Sequence, residues 1–201
     1  MGILRLSLIF LLPCILITAC ASRETFQAQP IQLNVSLLDK VDTDRVDIAY
    51  VRPNLDLSSY KAVWVEWPQL DYRREPDMTS IPREKIDTLR QYFMKRIEEE
   101  LKGRYRIVTG PGAEPVLRFR TTITGLKTSE FGVGSGYAAI EGEYRDGDSG
   151  RLLLAFADKR GGGQMIPGLK ELSDAQGAFD YWARLLRRHL DQMHAEGRGI
   201  F

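Results

Sequence analysis

The sequence predicts a single α+β domain, a two-layer sandwich with a mixed or antiparallel sheet of about five strands and two main helices on one face. Two segments, 82–103 and 173–197, carry apolar residues at helical spacing. Several other segments alternate apolar and polar residues, as half-buried strands do. The chain order is strand, helix, strand, three strands, helix, which favours an α+β fold over alternating βα units.

The first strand is predicted at Lys61–Trp67, which is rich in β-branched and aromatic residues and is followed by Pro68. Pro82 then opens the first helix, and Gly103 stands where a C-terminal cap favours glycine. The apolar face predicted for this helix consists of Ile86, Leu89, Phe93, Ile97 and Leu101.

Four further strands follow this helix. They are predicted at Tyr105–Thr109, at Val116–Leu126, around residues 138–144 and around residues 152–156. Glu141 and Glu143 are expected to pair across strands with Arg118 and Arg120 as surface register rather than as a site. The last helix follows Ser173-Asp174, a predicted N-cap, and its apolar face comprises Ala178, Phe179, Trp182, Leu186, Leu190 and Met193.

The N-terminus is predicted to be a signal peptide, residues 1–19. Arg5 precedes an uncharged apolar stretch, residues 6–19, and the chain turns polar at Ser22. A membrane-spanning helix needs roughly 20 apolar residues, and this stretch is shorter and contains Pro13. A lasting transmembrane anchor is therefore the less favoured interpretation.

Ile17-Thr18-Ala19-Cys20 resembles the bacterial lipobox, in which the cysteine thiol takes a diacylglyceryl group. We therefore predict cleavage before Cys20 and lipidation of Cys20, with an ordinary cleaved secretory signal as the alternative. Two or more acyl chains hold a protein stably on a bilayer, so a membrane is the first expected partner. Ala21, not aspartate, follows the cysteine, which in the enteric-type pattern predicts the outer membrane with the domain facing the periplasm.

Residues 20–44 are predicted to be the lipidated N-terminus and a tether, and residues 45–197 the domain. The tether is polar, although Ile31, Leu33, Val35 and Leu37 alternate as in a strand. As free coil, residues 21–59 would have an end-to-end distance of about 35 Å.

Composition argues against several classes of function. The 28 lysines and arginines lose only Arg5 with the signal and then equal the 27 aspartates and glutamates, so no nucleic-acid partner is expected. With Cys14 removed and Cys20 lipidated, no thiol is left for a disulfide, a metal site or a nucleophile.

Two loops bear a superficial resemblance to ligand-binding motifs. The run Gly132–Gly136 lacks the lysine of a phosphate-binding loop and has strands on both sides, so a loop between strands is favoured. Ser135 fails as a nucleophile elbow because Val133 stands where glycine is required. Asp146–Gly150 lacks the distal glutamate of a calcium loop, and a hairpin turn is favoured.

No catalytic, cofactor-binding or metal-binding residue is nominated. His189 and His194 lie five apart on the last helix, whereas zinc pairs prefer four, and both are expected on the helix surface. No pair of carboxylates has a context that predicts burial, so no general acid and base can be chosen. Trp64, Trp67 and Trp182 are expected in the core, with an exposed contact at Trp64 or Trp67 as the alternative.

The run Tyr50–Glu66, with sequence YVRPNLDLSSYKAVWVE, resembles the opening signature of the bacterial lipoprotein family called domain of unknown function 3313. Tyr105–Pro111, Glu141–Asp146 leading into Ser149-Gly150, and Phe179–Ala183 agree with that family. The resemblance covers roughly residues 35–195 and transfers no catalytic or cofactor residue. It implies a fold similar to small α/β lipoprotein domains that act as envelope accessory factors, which is an analogy of fold alone.

These observations lead to one main hypothesis, a non-enzymatic, lipid-anchored periplasmic lipoprotein that binds another envelope protein. The alternatives are a hydrolase or small-ligand-binding lipoprotein with an unrecognised site, and a structural or stress-related envelope component. An exposed apolar patch would favour partner binding, whereas a deep pocket with perturbed carboxylates would favour an enzyme.

Overall fold

The computed structural model describes residues 27–127, 136–161 and 173–196. The predicted signal peptide and Cys20 lie outside these residues. The described chain forms an eight-stranded mixed sheet with two long helices. The strands are β1 Asp39–Val41, β2 Ile48–Val51, β3 Ala62–Val65, β4 Gln69–Leu70, β5 Arg106–Val108, β6 Val116–Lys127, β7 Tyr137–Asp146 and β8 Leu152–Gly161.

The strand order across the sheet is β1-β2-β8-β7-β6-β3-β5, and β4 pairs with the distal part of β6. β3 runs parallel to β5 and β6, and β4 runs parallel to β6, whereas the pairs β1–β2, β2–β8, β8–β7 and β7–β6 are antiparallel. The centre is therefore the long meander β6-β7-β8, and shorter strands extend it on both sides.

The prediction of about five strands was too low. The five predicted strands are present as β3, β5, β6, β7 and β8. The three that were not counted have only three, four and two residues. Over so short a span a two-residue period is a weak signal, and these strands exist because they pair with other strands of the sheet.

The two helices form one layer. α1, Arg83–Leu101, buries all five residues that its helical spacing predicts, and Gly103 follows it with φ of 75°. α2, Ser173–Glu196, buries Ala178, Phe179, Trp182, Leu186 and Leu190. The rings of Phe93 and Phe179 stack at 4.9 Å between centroids, which joins α1 to α2.

One face of the sheet packs on these helices. Leu117, Phe119 and Ile123 of β6 are buried there, as their alternation predicts, together with Tyr144 and Phe156. Gly142 makes room for this packing, because a Cβ at that position would lie 2.1 Å from Cε1 of Phe156. The opposite face, which carries Arg118, Arg120, Glu141, Glu143 and Arg145, is called the open face below.

The N-terminal segment lies across part of the open face. The backbone N–H of Ala28 donates to Asp47 Oδ2 at 2.8 Å, and that of Gln32 donates to Glu141 Oε1 at 3.1 Å. Ile31, Leu33 and Val35 are half-buried, whereas Leu37 is 69% exposed. Residues 28–36, called the strap below, and strand β1 therefore contact the domain within the segment that the sequence assigns to the tether.

Candidate functional site

The open face carries a layer of arginines and glutamates near its centre. β3, β6 and β7 run side by side, and register places Trp64 beside Arg118 and Arg118 beside Arg145. In the next row Arg120 lies beside Glu143. Because successive side chains of a strand point to opposite faces, all of these side chains point away from the helices.

Glu66, which directly follows β3, joins the arginines of this layer. Its carboxylate accepts hydrogen bonds from Nε of Arg118 and, at 3.0 Å, from Nε of Arg120. Glu143 in turn accepts from Arg145 and lies 3.8 Å from Arg120. The three arginine side chains are 22–35% exposed and the two glutamates 10–16%.

An aromatic side chain flanks this layer. The guanidinium of Arg118 lies 4.4 Å from the ring centroid of Trp64, which is half-buried. Trp182 is buried as predicted, but the prediction of a core position is wrong for Trp67, which is 41% exposed and stacks against Arg90 at 4.8 Å. Trp64, Glu66, Arg118, Arg120, Glu143 and Arg145 together are called the arginine layer below.

A second ion pair on the same face is buried. The Arg74 side chain is 4% exposed and donates to Glu141, whose side chain is 9% exposed. Arg74 also donates to the carbonyl oxygen of Pro30, and Gln29 Nε2 donates to the Arg74 carbonyl oxygen at 3.1 Å. The strap therefore covers this pair and supplies some of its hydrogen-bond partners.

Two expectations about carboxylates change. Glu141, Glu143 and Asp158 are buried residues, although no carboxylate was predicted to be buried. Glu141 pairs with Arg74 rather than with Arg118 or Arg120, because its cross-strand neighbour in β6 is Thr122. Local sequence cannot reveal that Arg74 is the partner of Glu141 or that Glu66 is the partner of the β6 arginines. Both residues come from connections outside the β6–β7 pair.

On the helix-covered face Asp158 is the centre of a polar network. It is 1% exposed, and its Oδ2 accepts from Trp182 Nε1 and Arg160 Nε, both at 2.7 Å. Its Oδ1 accepts from the backbone N–H of Asp47 at 3.2 Å. Burial raises the pKa of Asp158, and the hydrogen bonds from Trp182 and Arg160 oppose that rise.

The prediction that His189 lies on the helix surface was wrong. His189 is fully buried, and its Nδ1 lies 3.0 Å from the hydroxyl of Tyr144. Burial, together with the charges of Arg45 and Arg188, lowers the pKa of His189 to about 3. His189 is next to Leu190, so the apolar face of α2 is wider than periodicity alone indicates. His194 is exposed, as predicted, and its Nε2 lies 2.9 Å from the carbonyl oxygen of Tyr60.

Asp146 belongs to a hairpin turn, as predicted. Its Oδ1 accepts from Ser149 N at 2.8 Å and from Ser149 Oγ at 2.6 Å, and its Oδ2 accepts from the Tyr60 hydroxyl at 2.6 Å. These hydrogen bonds lower the pKa of Asp146 to about 2. Both carboxylate oxygens are therefore used by the protein itself to close the β7–β8 turn and to attach it to Tyr60.

The last features considered from the sequence are the glycine-rich run, a metal site and a membrane-spanning helix. Residues 132–135 of the glycine-rich run lie outside the described residues, and the flanking β6 and β7 form the predicted antiparallel pair. Across residues 27–127, 136–161 and 173–196, no cluster of three or more histidine, cysteine or acidic side chains is arranged to hold a metal ion. In the same ranges no helix has the length and apolar character needed to cross a bilayer.

A depression lies at the β5 edge of the sheet. It has a volume of about 570 Å³ and is lined by residues of α1 and β5, including Lys95, Glu98, Lys102, Tyr105 and Ile107. Ile107 is 39% exposed there. The depression is open to solvent, and its charged side chains come from the surface of α1.

Solved structures that match this chain in part come from several bacteria. A PelC dodecamer from Paraburkholderia phytofirmans is 12% identical, with a TM-score of 0.42, and the match covers 68% of this chain and 92% of that one. A minor lipoprotein from Acinetobacter baumannii is 13% identical, with a TM-score of 0.38 and coverages of 68% and 94%. Lipoprotein GNA1162 from Neisseria meningitidis is 14% identical, with a TM-score of 0.28 and coverages of 58% and 90%.

No curated protein matches the sequence. A family model does match, over residues 32–134 and 130–186, and it is described as a protein of unknown function, DUF3313. These ranges hold strands β1 to β8, helix α1 and the first half of α2, which confirms the resemblance noted from the sequence. The chain belongs to the DUF3313 family.

Proposed function

We propose that this protein is a lipoprotein of the cell envelope, anchored in the outer membrane by lipid on Cys20, whose domain binds another envelope protein without catalysing a reaction. The observation that carries the binding proposal is the arginine layer. It lies on the face of the sheet that the helices leave uncovered, and it combines half-exposed arginines with an aromatic ring.

The composition of the layer indicates the chemistry of the partner. Three arginines face two glutamates, so the layer has one cation in excess. Arginine and tryptophan are the side chains enriched in the binding hot spots of protein interfaces. Planar guanidinium groups also suit carboxylates geometrically. We therefore expect a partner that presents aspartate or glutamate side chains to Arg118 and Arg120 and an apolar group to Trp64.

Site-specific photo-crosslinking in cells of the source bacterium tests this proposal. A photoreactive residue replaces Arg120 on the open face or, as the matched control, Gln91, which is exposed on α1. The proposal predicts that position 120, and not position 91, gives a crosslink to one reproducible envelope protein identified by mass spectrometry. Adding Trp64→Ala should reduce the yield at position 120 severalfold, because the aromatic contact is lost.

Two results would contradict the proposal. One is equal crosslinking from positions 120 and 91, which would indicate proximity without a specific surface. The other is the absence of any specific crosslink from position 120 while the protein is produced and lipidated normally. A Cys20→Ala variant, which cannot be lipidated, separates the two parts of the proposal, because loss of the crosslink in that variant shows that binding requires the anchor.

A further inference from the structure

The attachment of the strap limits how far the domain can move from a lipid anchor at Cys20. Ala28 is the first described residue with a hydrogen bond to the domain, and it lies eight residues beyond Cys20. A chain of that length reaches at most about 26–29 Å when fully extended. This maximum reach is shorter than the end-to-end distance of about 35 Å that residues 21–59 would have as a free coil. The difference arises because docking of the strap shortens the free part of the chain.

Ala28 lies at a defined end of the sheet. Asp47 Oδ2 accepts hydrogen bonds from the backbone N–H of Ala28 and from that of Lys159, at 2.8 and 3.0 Å. Lys159 is near the end of β8 and pairs with Ala139 near the start of β7. The β7–β8 hairpin turn at Asp146–Gly150 is at the other end of the same two strands.

The length of β7 separates these two ends. Its ten residues, Tyr137–Asp146, span roughly 30 Å at a rise of about 3.3 Å per residue. Ala28 is level with Ala139, so Asp146 lies about 23 Å further along the sheet, a distance that residues 20–28 could span only if they were almost fully extended. Rotation of the domain about Ala28 cannot bring both ends equally close to the lipid without laying the sheet flat on it.

We propose that the domain stands on the membrane with the end of the sheet that carries Ala28, Lys127 and Lys159 facing the lipid surface and the Asp146–Gly150 turn facing away. This inference rests on the proposed lipidation of Cys20. It places the arginine layer on the side of the domain, where a protein that lies next to this one in the envelope can reach it.

The same geometry assigns a role to the buried pair Arg74–Glu141. Arg74 holds Gln29 and Pro30, and Glu141 holds Gln32, so this pair attaches the strap to the sheet. If the strap detached as far as β1, the chain between Cys20 and Asp39 would reach roughly 60 Å. Docking of the strap therefore determines the distance between the domain and the bilayer.

Energy transfer from the domain to labelled lipid tests the proposed orientation. The mature lipidated chain has no free thiol, because Cys14 is removed and Cys20 is acylated, so one introduced cysteine can be labelled selectively. Lys127→Cys places a donor at the proposed lower end, and Asp148→Cys places it in the turn. Each lipidated protein is reconstituted into phosphatidylethanolamine–phosphatidylglycerol vesicles with an acceptor on a headgroup.

The expected result is severalfold stronger transfer from position 127 than from position 148. Adding Arg74→Ala to the Lys127→Cys protein should weaken transfer from position 127. The control is Arg120→Ala, which should leave the transfer unchanged. Arg120 lies on the same face, but no contact between it and the strap is seen in the described chain. Equal transfer from the two positions, or stronger transfer from position 148, would overturn the inference.

Vesicle flotation of the same samples separates this inference from the proposed function. A protein that fails to float with the vesicles is not lipid-anchored, and in that case both the anchor and the orientation are wrong. If the protein floats but energy transfer does not differ between positions 127 and 148, the lipid anchor is supported and only the proposed orientation is wrong.

Discussion

The two faces of the sheet differ in how far their polar side chains are exposed to solvent. On the helix-covered face, Asp158 and His189 are almost completely enclosed. On the open face, Arg118, Arg120 and Arg145 remain partly exposed and pair with glutamates. The alternation of a strand determines which face a side chain occupies, whereas the element that covers that face determines whether the side chain is buried. Buried charges change stability strongly and exposed ion pairs change it little.

The largest expected effect is on the helix-covered face and depends on pH. The pKa of folded His189 is lowered to about 3, so the unfolded chain, with a pKa near 6.5, binds the extra proton. Stability from neutral His189 is therefore complete above about pH 6.5 and is lost as the pH falls toward 3. We expect the free energy of unfolding to fall by roughly 3 kcal/mol between pH 6.5 and 4.

Urea denaturation of the mature chain at a series of pH values measures this slope. In His189→Gln the slope over the same interval should largely disappear, while the matched variant His194→Gln, on the exposed histidine of the same helix, should retain it. Identical slopes in the protein and in His189→Gln would show that the enclosed histidine is not the group that senses pH.

The next effect compares two arginines of the open face. Arg74→Met removes one partner of a buried pair and leaves Glu141 enclosed without its cation, so a loss of about 3 kcal/mol in the free energy of unfolding is expected. Arg120→Met removes a side chain that is 35% exposed, and a loss below about 1 kcal/mol is expected. Chemical denaturation at neutral pH measures both. Equal losses would mean that the strap does not shield the Arg74–Glu141 pair.

Gly142→Ala tests the close packing of the helix-covered face. Its new methyl group would lie 2.1 Å from a ring carbon of Phe156, and overpacking of this kind costs about 1–3 kcal/mol. Thermal or chemical unfolding gives the loss. The double variant Gly142→Ala/Phe156→Leu should lose less than the sum of the two single variants, because the smaller side chain relieves the clash. Strict additivity would contradict a direct contact.

The smallest effect is expected at the sheet edge. Arg106 and Glu114 form an ion pair at 2.8 Å in which the side chains are 60% and 62% exposed. Arg106→Ala should change the free energy of unfolding by less than about 0.5 kcal/mol, and added salt should remove even that difference. A larger change would indicate that the β5 edge is covered in the protein as it exists in solution.

The sequence predicts what depends on local periodicity. Both helices, the buried residues of their apolar faces and five of the eight strands follow from it. The short strands β1, β2 and β4 do not, since they exist through pairing with distant residues. The arginine layer was noticed only as surface register. Its composition depends on Glu66, which is not adjacent to β6 or β7 in the sequence.

The burial of His189, on the helix-covered side of the sheet, likewise depends on a residue that is distant in the sequence. A polar residue beside an apolar stripe is ordinarily placed on the helix surface, and here the hydroxyl of Tyr144 on β7 allows it to be enclosed. The sequence signal that would have identified it is Tyr144, a tyrosine on the strand face that also carries Ala138 and Ile140. Such a signal can be used only when the strand and the helix are known to be neighbours.

Metabolic labelling with an alkyne fatty acid tests whether Cys20 holds this domain on a lipid surface. We predict that the wild-type protein incorporates the label and that its mature N-terminal peptide begins at a diacylated or triacylated Cys20, while Cys20→Ala incorporates none. An unlabelled wild-type protein, or equal labelling of Cys20→Ala, would show that Cys20 is not the anchor.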